Sequence, residues 1–283
     1  MRLIDIAREV KHAQLVARRR LAPRLDPARD RVHRLVDTVR PFTYSDGLFP
    51  ESFIAETPKV AVHESGPAPV RVFALWTGDN QMSVNRAAAF ADLESRLPIT
   101  LITPANLEEW VVPDAPLHPA YDHLSFVHRS DYLRAYLMHH HGGAYLDIKR
   151  EYGDVLAAVN SLNASPQHWM MSFRELGPHT VAPEQGEVGA ALRRHYRLLL
   201  AMCAFAAKPG SPLTHEWLAE VHRRLDHYSP ALRASPGNAL GDNDGYPIPW
   251  TAILGGVLHP LCLKYPERLM MDDAFRPSFR DYR

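Results

Sequence analysis

The sequence predicts an α/β protein built around a mainly parallel sheet. Three observations carry that expectation. Short apolar runs rich in strand formers alternate with longer helical stretches, in the order β-α-β-α-β-α. A Gly142-Gly143 pair punctuates the junction of the third helix–strand step. The chain has 283 residues, 46% hydrophobic and 23% charged, enough to bury one sizeable core.

The elements follow in order. VRVFALW at 70–76 is an apolar run of β-formers and reads as a buried strand. Residues 77–80 make a turn, 84–96 a helix, and ITLIT at 99–103 a second strand after Pro98. A short helix is expected over 106–110, then a Pro-rich loop over 111–123. A helix from about Phe126 to His141 leads into strand AYLDI at 144–148, and HWMMSFRE at 168–175 is strand-like. Residues 189–207 and 212–225 read as two further helices, so the C-terminal half is expected to be helical.

The N-terminal part differs in character. Residues 1–40 hold eleven Arg and Lys against five Asp and Glu. Helices are expected over 2–22 and 27–39, as a basic appendage packed on the main domain or touching an anionic membrane surface or a polyanionic acceptor. Residues 41–69 lack periodicity and read as a linker or a wandering surface segment. The domain boundary is thus placed at 69/70, with the main domain over 70–283.

Charge and cysteine content narrow the function classes. With 32 basic and 32 acidic residues the formal net charge is zero, which argues against a nucleic-acid partner. Two cysteines imply no disulfide framework. No stretch resembles a signal peptide or a membrane span, so a cytoplasmic protein, peripheral at most on the inner face of a membrane, is expected. P-loop, zinc-protease, nucleophile-elbow and paired C-x-x-C signatures are missing from the sequence.

The chemistry concentrates in SDYLRAYLMHHHGGAYLDIK, residues 130–149. Asp131 and Arg134 are three apart on a helix and share a face. Alone they would read as a surface ion pair worth well under ~1 kcal/mol. The glycine pair then turns the chain into a strand whose carboxyl end carries Asp147, the edge at which open α/β sheets bind ligands. His139, His140 and His141 are consecutive on a helix, point in different directions and read as structural.

The combination Ser130-Asp131-x-x-Arg134 and Gly142-Gly143-x-Tyr145-x-Asp147 resembles the sugar-binding region of D-x-D glycosyltransferases. These include capsular polysaccharide transferases, initiating α-mannosyltransferases of the fungal type and the glucosyltransferase domains of clostridial toxins. The likeness covers residues 70–152 and implies a GT-A fold with a Rossmann-type nucleotide-binding domain. It also implies a retaining transfer of a hexose from a UDP- or GDP-sugar to a glycan, lipid-linked or other small acceptor. Leu75-Trp76-Thr77 matches the strand end beside the nucleotide base, with the Trp76 indole stacking near it. Asp131 would accept hydrogen bonds from sugar or ribose hydroxyls, and Arg134 would pair with hydroxyls or a phosphate oxygen. Asp147 matches the first acid of D-x-D, which in that family binds Mn²⁺ or Mg²⁺. Trp250, or His259, would close the donor site.

The second acid of that motif is replaced here by Lys149. Three readings stay open. Lys149 neutralises the diphosphate itself; a unit charge pair at about 4 Å contributes on the order of 4 kcal/mol at an effective dielectric of about 20. Or Lys149 points away while Asp147 and another acid or histidine hold a metal, although strand alternation puts 147 and 149 on one face. Or catalysis is lost, and the chain is a non-catalytic sugar- or nucleotide-binding module derived from such an enzyme.

Overall fold

The computed structural model describes residues 39–60 and 65–280. The helices expected over 2–22 and 27–39 lie, but for position 39, outside these residues. The unit that carries the sheet runs Tyr44–Arg283; Met1–Thr43 forms a separate unit.

Among the described residues six strands form one mixed sheet. They are β1 (Val72–Leu75), β2 (Ile99–Ile102), β3 (Gly143–Leu146), β4 (Met170–Ser172), β5 (Ala204–Ala207) and β6 (Leu269–Met271). Their spatial order is β2-β1-β3-β5-β4-β6. Strand β1 pairs in parallel with β2 and β3, and β4 in parallel with β6. Strand β5 runs antiparallel between β3 and β4 and joins the two parallel groups.

Among the described residues six α-helices surround the sheet: α1 (Val84–Glu94), α2 (Phe126–His140), α3 (Val155–Ala164), α4 (Gly186–Arg194), α5 (Pro212–Ala234) and α6 (Gly255–Lys264). Side-chain caps set several starts. Ser83, Ser125, Asp154 and Ser211 each accept a backbone N–H from the first turn. None of these helices is long and apolar enough to cross a membrane.

Strand alternation separates two faces. Ala144 and Leu146 of β3, with Ala204 and Ala206 of β5, pack against Val155, Val159 and Leu162 of α3. Tyr145 and Phe205 point the other way; their rings lie 5.3 Å apart, and Phe205 meets Trp217 of α5 edge-on at 5.7 Å. Helix α5 packs on α2 and on α6. The sheet is therefore sandwiched between helical layers.

Gly142 and Gly143 have φ of +62° and +94°, which L side chains rarely adopt. A Cβ on Gly142 would come within 2.5 Å of Pro209 Cδ, and one on Gly143 within 2.8 Å of the Arg71 carbonyl. The pair is thus needed both for the turn out of α2 and for the close approach to its neighbours.

The largest departure from the expected pattern is in the C-terminal half, which is not simply helical. Helix α4 ends at Arg194, and residues 204–207 form β5 rather than the end of a helix over 189–207. The run LLLAMCAFAA is apolar on every side because β5 is buried on both faces, and periodicity alone does not tell such a strand from a buried helix. Strand β6 and helix α3 also lie outside the expected elements, although Asp154 followed by apolar residues at 155, 158, 159 and 162 is a capped helical pattern. Tyr44, Phe49 and Ile54, in the stretch expected to be a linker or surface segment, are buried in the Tyr44–Arg283 unit.

Candidate functional site

Helix α2 precedes β3, so its first turns lie at the edge where β1 and β3 end. Three contacts assemble the corner. Thr77, just after β1, donates from Oγ1 to the Phe126 carbonyl at 2.5 Å. Trp76 donates from its indole to the Asn80 carbonyl at 2.6 Å, closing the turn after the strand. The Asp147 amide donates to the Cys203 carbonyl at 2.8 Å, which ties the end of β3 to the start of β5.

Four charged side chains form a continuous row here. Asp131 Oδ1 lies 3.4 Å from Arg134 Nη1, Arg134 Nη2 lies 3.5 Å from Asp147 Oδ1, and Lys149 Nζ lies 2.7 Å from Asp147 Oδ2. Acid and base alternate along it. The side chains of Asp131, Arg134 and Lys149 are 4%, 12% and 7% exposed, whereas Asp147 is 21% exposed and marks the open side. A row this dry is not the solvated ion pair that the i,i+3 spacing alone would suggest.

Tyr145 completes the row. Its hydroxyl donates to Asp147 Oδ1 at 2.7 Å, and the Arg134 guanidinium sits 4.6 Å over its ring. Tyr152 donates to the Asp147 carbonyl at 3.0 Å. Arg134 also donates to Ser130 Oγ at 3.3 Å and to the Met202 carbonyl at 3.4 Å, but its buried Nε has no hydrogen-bond partner. Lys149 additionally lies 5.1 Å from the centre of the Phe279 ring.

Protonation follows from these surroundings. Burial pushes the Asp131 carboxyl up to about 7, only partly offset by Arg134 and reinforced by Asp147. Burial would also raise Asp147, but Lys149 and Arg134 outweigh it and hold that carboxyl below its ordinary value. Burial works against the charge on Arg134; Tyr145, Asp131 and Asp147 more than compensate and keep it a cation. Near neutral pH Arg134 is thus a cation, Asp147 a carboxylate and Asp131 an acid near its midpoint.

The expected site residues fall into two groups. Asp131, Arg134, Asp147 and Lys149 are in contact as a row, Thr77 bonds the first turn of α2, Trp76 packs on the cluster that holds Ile148, and Leu75 is buried at the end of β1. Trp250 is 62% exposed, on a loop whose backbone at Pro249 and Trp250 lies beside His128. That loop is anchored just ahead of α2: Gly237 donates to the His123 carbonyl, and Tyr246 Oη accepts from the amide of the N-cap Ser125 at 3.2 Å. His259 is buried elsewhere, with Nε2 3.3 Å from Glu175 Oε1.

Tyr145, Tyr152 and the Met202 and Cys203 carbonyls join the site without being among the expected residues. Tyr145 sits in the G-G-x-Y-x-D spacing, and alternation places it on the face of Asp147, so its signal was present. The Met202 carbonyl had none, because the residues before β5 read as helix. The three consecutive histidines take separate partners: His139 faces Thr214, His140 packs on Tyr136, and His141 faces the Trp110 carbonyl. Among the described residues no three His, Cys, Asp or Glu side chains converge as a metal-ligand set. No protein-family model matches this chain, and no curated protein matches it significantly.

Proposed function

We propose that this chain is a glycosyltransferase of the GT-A type that moves a hexose from a nucleotide-diphosphate sugar to a glycan or other small acceptor, with retention of configuration. The observation that carries the reading is the dry row Asp131–Arg134–Asp147–Lys149 at the carboxyl edge of β3. Two further features support it. The sheet has one antiparallel strand, β5, inside an otherwise parallel order, and the Met202 and Cys203 carbonyls just before it accept from Arg134 and from the Asp147 amide. The buried Arg134 Nε is a donor in search of an acceptor, which a phosphate or sugar oxygen would supply.

In this reading the main task is to offset charge that builds on the leaving diphosphate. We infer that Lys149 and Arg134 do so in place of a divalent ion. Lys149 does not point away from Asp147, and both Asp147 oxygens already accept from protein donors. Asp147 then acts as the anchor that holds two cations at the open side, a preorganised arrangement that costs no reorganisation when charge develops. Asp131, at the dry end, accepts from a donor hydroxyl and orients the sugar.

Thermal stabilisation by UDP and by GDP, each with and without Mn²⁺, tests the reading, because a ligand of the folded state raises stability with its saturation. A shift with one nucleotide that needs no metal is expected. A shift that requires Mn²⁺ would instead make Asp147 a metal ligand, and no shift with either would remove the donor site. The engagement of every Asp147 oxygen by protein also favours a second reading, a non-catalytic binding module. Turnover of a nucleotide sugar, by transfer or hydrolysis, excludes it.

A further inference from the structure

A second buried carboxylate stands at the same edge of the sheet as Asp147. Strands β3 and β4 both run antiparallel to β5, so they point the same way and their carboxyl ends share one edge. Asp147 comes directly after β3, and Glu175 shortly after β4. The stretch 199–203, just ahead of β5, lies between them and is bonded on both sides. Towards β3, the Cys203 carbonyl accepts from the Asp147 amide at 2.8 Å, and the Met202 carbonyl accepts from Arg134 Nη1 at 3.4 Å. Towards β4, the Ala201 amide donates to the Phe173 carbonyl and the Leu199 carbonyl accepts from the Glu175 amide, both at 2.9 Å. One segment thus separates Glu175 from the charged row, two strand spacings or roughly 10 Å between backbones. The half-buried Cys203 thiol feels both sides. Burial pushes it up to about 12, Asp147 adds to the rise, Lys149 and Arg134 oppose it, and Glu175 adds again.

The surroundings of Glu175 do not balance its charge. Its side chain is 8% exposed, and among the described residues no Lys or Arg pairs with it. The polar group beside it is His259 Nε2, 3.3 Å from Oε1 and too poorly aimed for a hydrogen bond. His259 brings no full charge either. Its Nδ1 accepts the Ala182 amide at 3.0 Å, which leaves the ring proton on Nε2 and the imidazole neutral. Arg134 and Lys149, across the 199–203 stretch, pair with Asp147 instead. A carboxylate held this dry without a cation or a donor lowers stability. It stands at the strand edge where open α/β sheets take their ligands.

A ligand hydroxyl supplies what Glu175 lacks, a hydrogen-bond donor with no charge of its own. A diphosphate is drawn to the cations of the row and repelled by Glu175, so the two ends of the site suit different partners. We propose that Glu175 holds the acceptor, its carboxylate accepting a hydrogen bond from the acceptor hydroxyl and orienting that oxygen towards the row; the assignment rests on the transferase reading above. Water takes the same place when the donor is hydrolysed. Its oxygen then bonds the anomeric carbon, the bond to the diphosphate oxygen breaks with its electron pair, and the proton leaves to solvent.

The test compares the full wild-type chain with Glu175→Gln in three measurements: Tm, affinity for UDP and GDP, and hydrolysis of UDP-glucose, UDP-galactose, UDP-N-acetylglucosamine and GDP-mannose. The variant should hydrolyse the donor at least about tenfold more slowly, as expected for a lost charge-assisted hydrogen bond, while its nucleotide Kd stays within about twofold. Its Tm should equal or exceed that of wild type, because an unbalanced buried charge is gone. Hydrolysis at the wild-type rate overturns the proposal. A lower Tm, or a nucleotide affinity that falls with the rate, makes Glu175 part of the fold or of the donor site and overturns it too. A wild type that binds nucleotide yet hydrolyses none of the four donors removes the role of Glu175 and leaves a binding module. A wild type that binds neither nucleotide sinks the transferase reading itself, and this assignment with it.

Discussion

The Lys149 ammonium lies 2.7 Å from Asp147 Oδ2, on the same side of the strand end and 7% exposed. The lysine thus stands where the D-x-D pattern has a second acid, and it faces its partner rather than solvent. If it supplies the charge for the leaving group, Lys149→Ala should lower the transfer rate by about 10²–10³-fold, the usual effect of removing one preorganised electrostatic group. Single-turnover transfer rates of the two proteins would decide. A variant as fast as wild type would remove Lys149 from the reaction.

Asp131 gives a prediction that joins stability to function. Its carboxyl is pushed up to about 7 from an ordinary value of 3.8. Between those values the unfolded chain has released the proton and the folded chain still holds it. Wild-type stability from this group is therefore present in acid and lost as pH rises through about 7. Asp131→Asn removes the dependence, so the Tm of the Asn variant relative to wild type should rise between about pH 5 and pH 8. Nucleotide-sugar affinity should fall in the same variant. A Tm difference that does not change with pH would refute burial as the dominant influence on this carboxyl.

The histidines of α2 and α5 act in the opposite direction. Burial lowers His128 to about 4 and His139 to about 4, and it lowers His140 and His222 as well. The unfolded chain takes up these protons near the ordinary value of 6.5, and the folded chain resists. Stability from these groups is lost as pH falls below about 6.5, and several histidines together outweigh one aspartate. Replacing His139 and His222 with Gln should flatten the acid side of a Tm-versus-pH curve. An unchanged curve would place the acid sensitivity elsewhere.

Lys264 is fully buried and clamps the N-terminal stretch of this unit to the helices. Its Nζ donates to Glu216 Oε2 at 2.7 Å and to the Thr57 carbonyl and hydroxyl at 2.8 and 2.9 Å. Tyr265 donates to the other Glu216 oxygen. Lys264→Met leaves Glu216 without its buried cation and should cost about 3–5 kcal/mol in urea unfolding. Adding Glu216→Gln should recover part of the loss, since the uncompensated charge is then gone. Additive losses in the two single variants would contradict the coupling.

How far the sequence could be read depended on whether a feature was local. The corner made by α2, Gly142-Gly143 and β3 was legible because a capped helix, positive-φ glycines and strand alternation are set within twenty residues. The grouping of Asp131, Arg134, Asp147 and Lys149 follows from that corner. Strand β5 was not legible: an apolar run buried on both faces has no period, and its place between β3 and β4 is decided by residues far along the chain. The burial of Tyr44, Phe49 and Ile54 was hidden for the same reason, because their partners lie around Glu216 and Lys264.

The position of β5 has a consequence for how the molecule comes into being. A chain leaving the ribosome presents β1, β2 and β3 first, and these can pair with one another at once. Strand β4 is made next but has no seat beside β3; that seat belongs to β5, which is about thirty residues further on. Until β5 arrives, one edge of the first three strands stands open and β4 waits unpaired, the kind of exposed edge that invites association between chains. Met202 and Cys203, the two residues just before the strand that closes the gap, supply the carbonyls that hold Arg134 and Asp147. The charged row should therefore take shape only as the sheet is completed, so a chain stopped before residue 204 would carry every acid and base of the site without being able to arrange them.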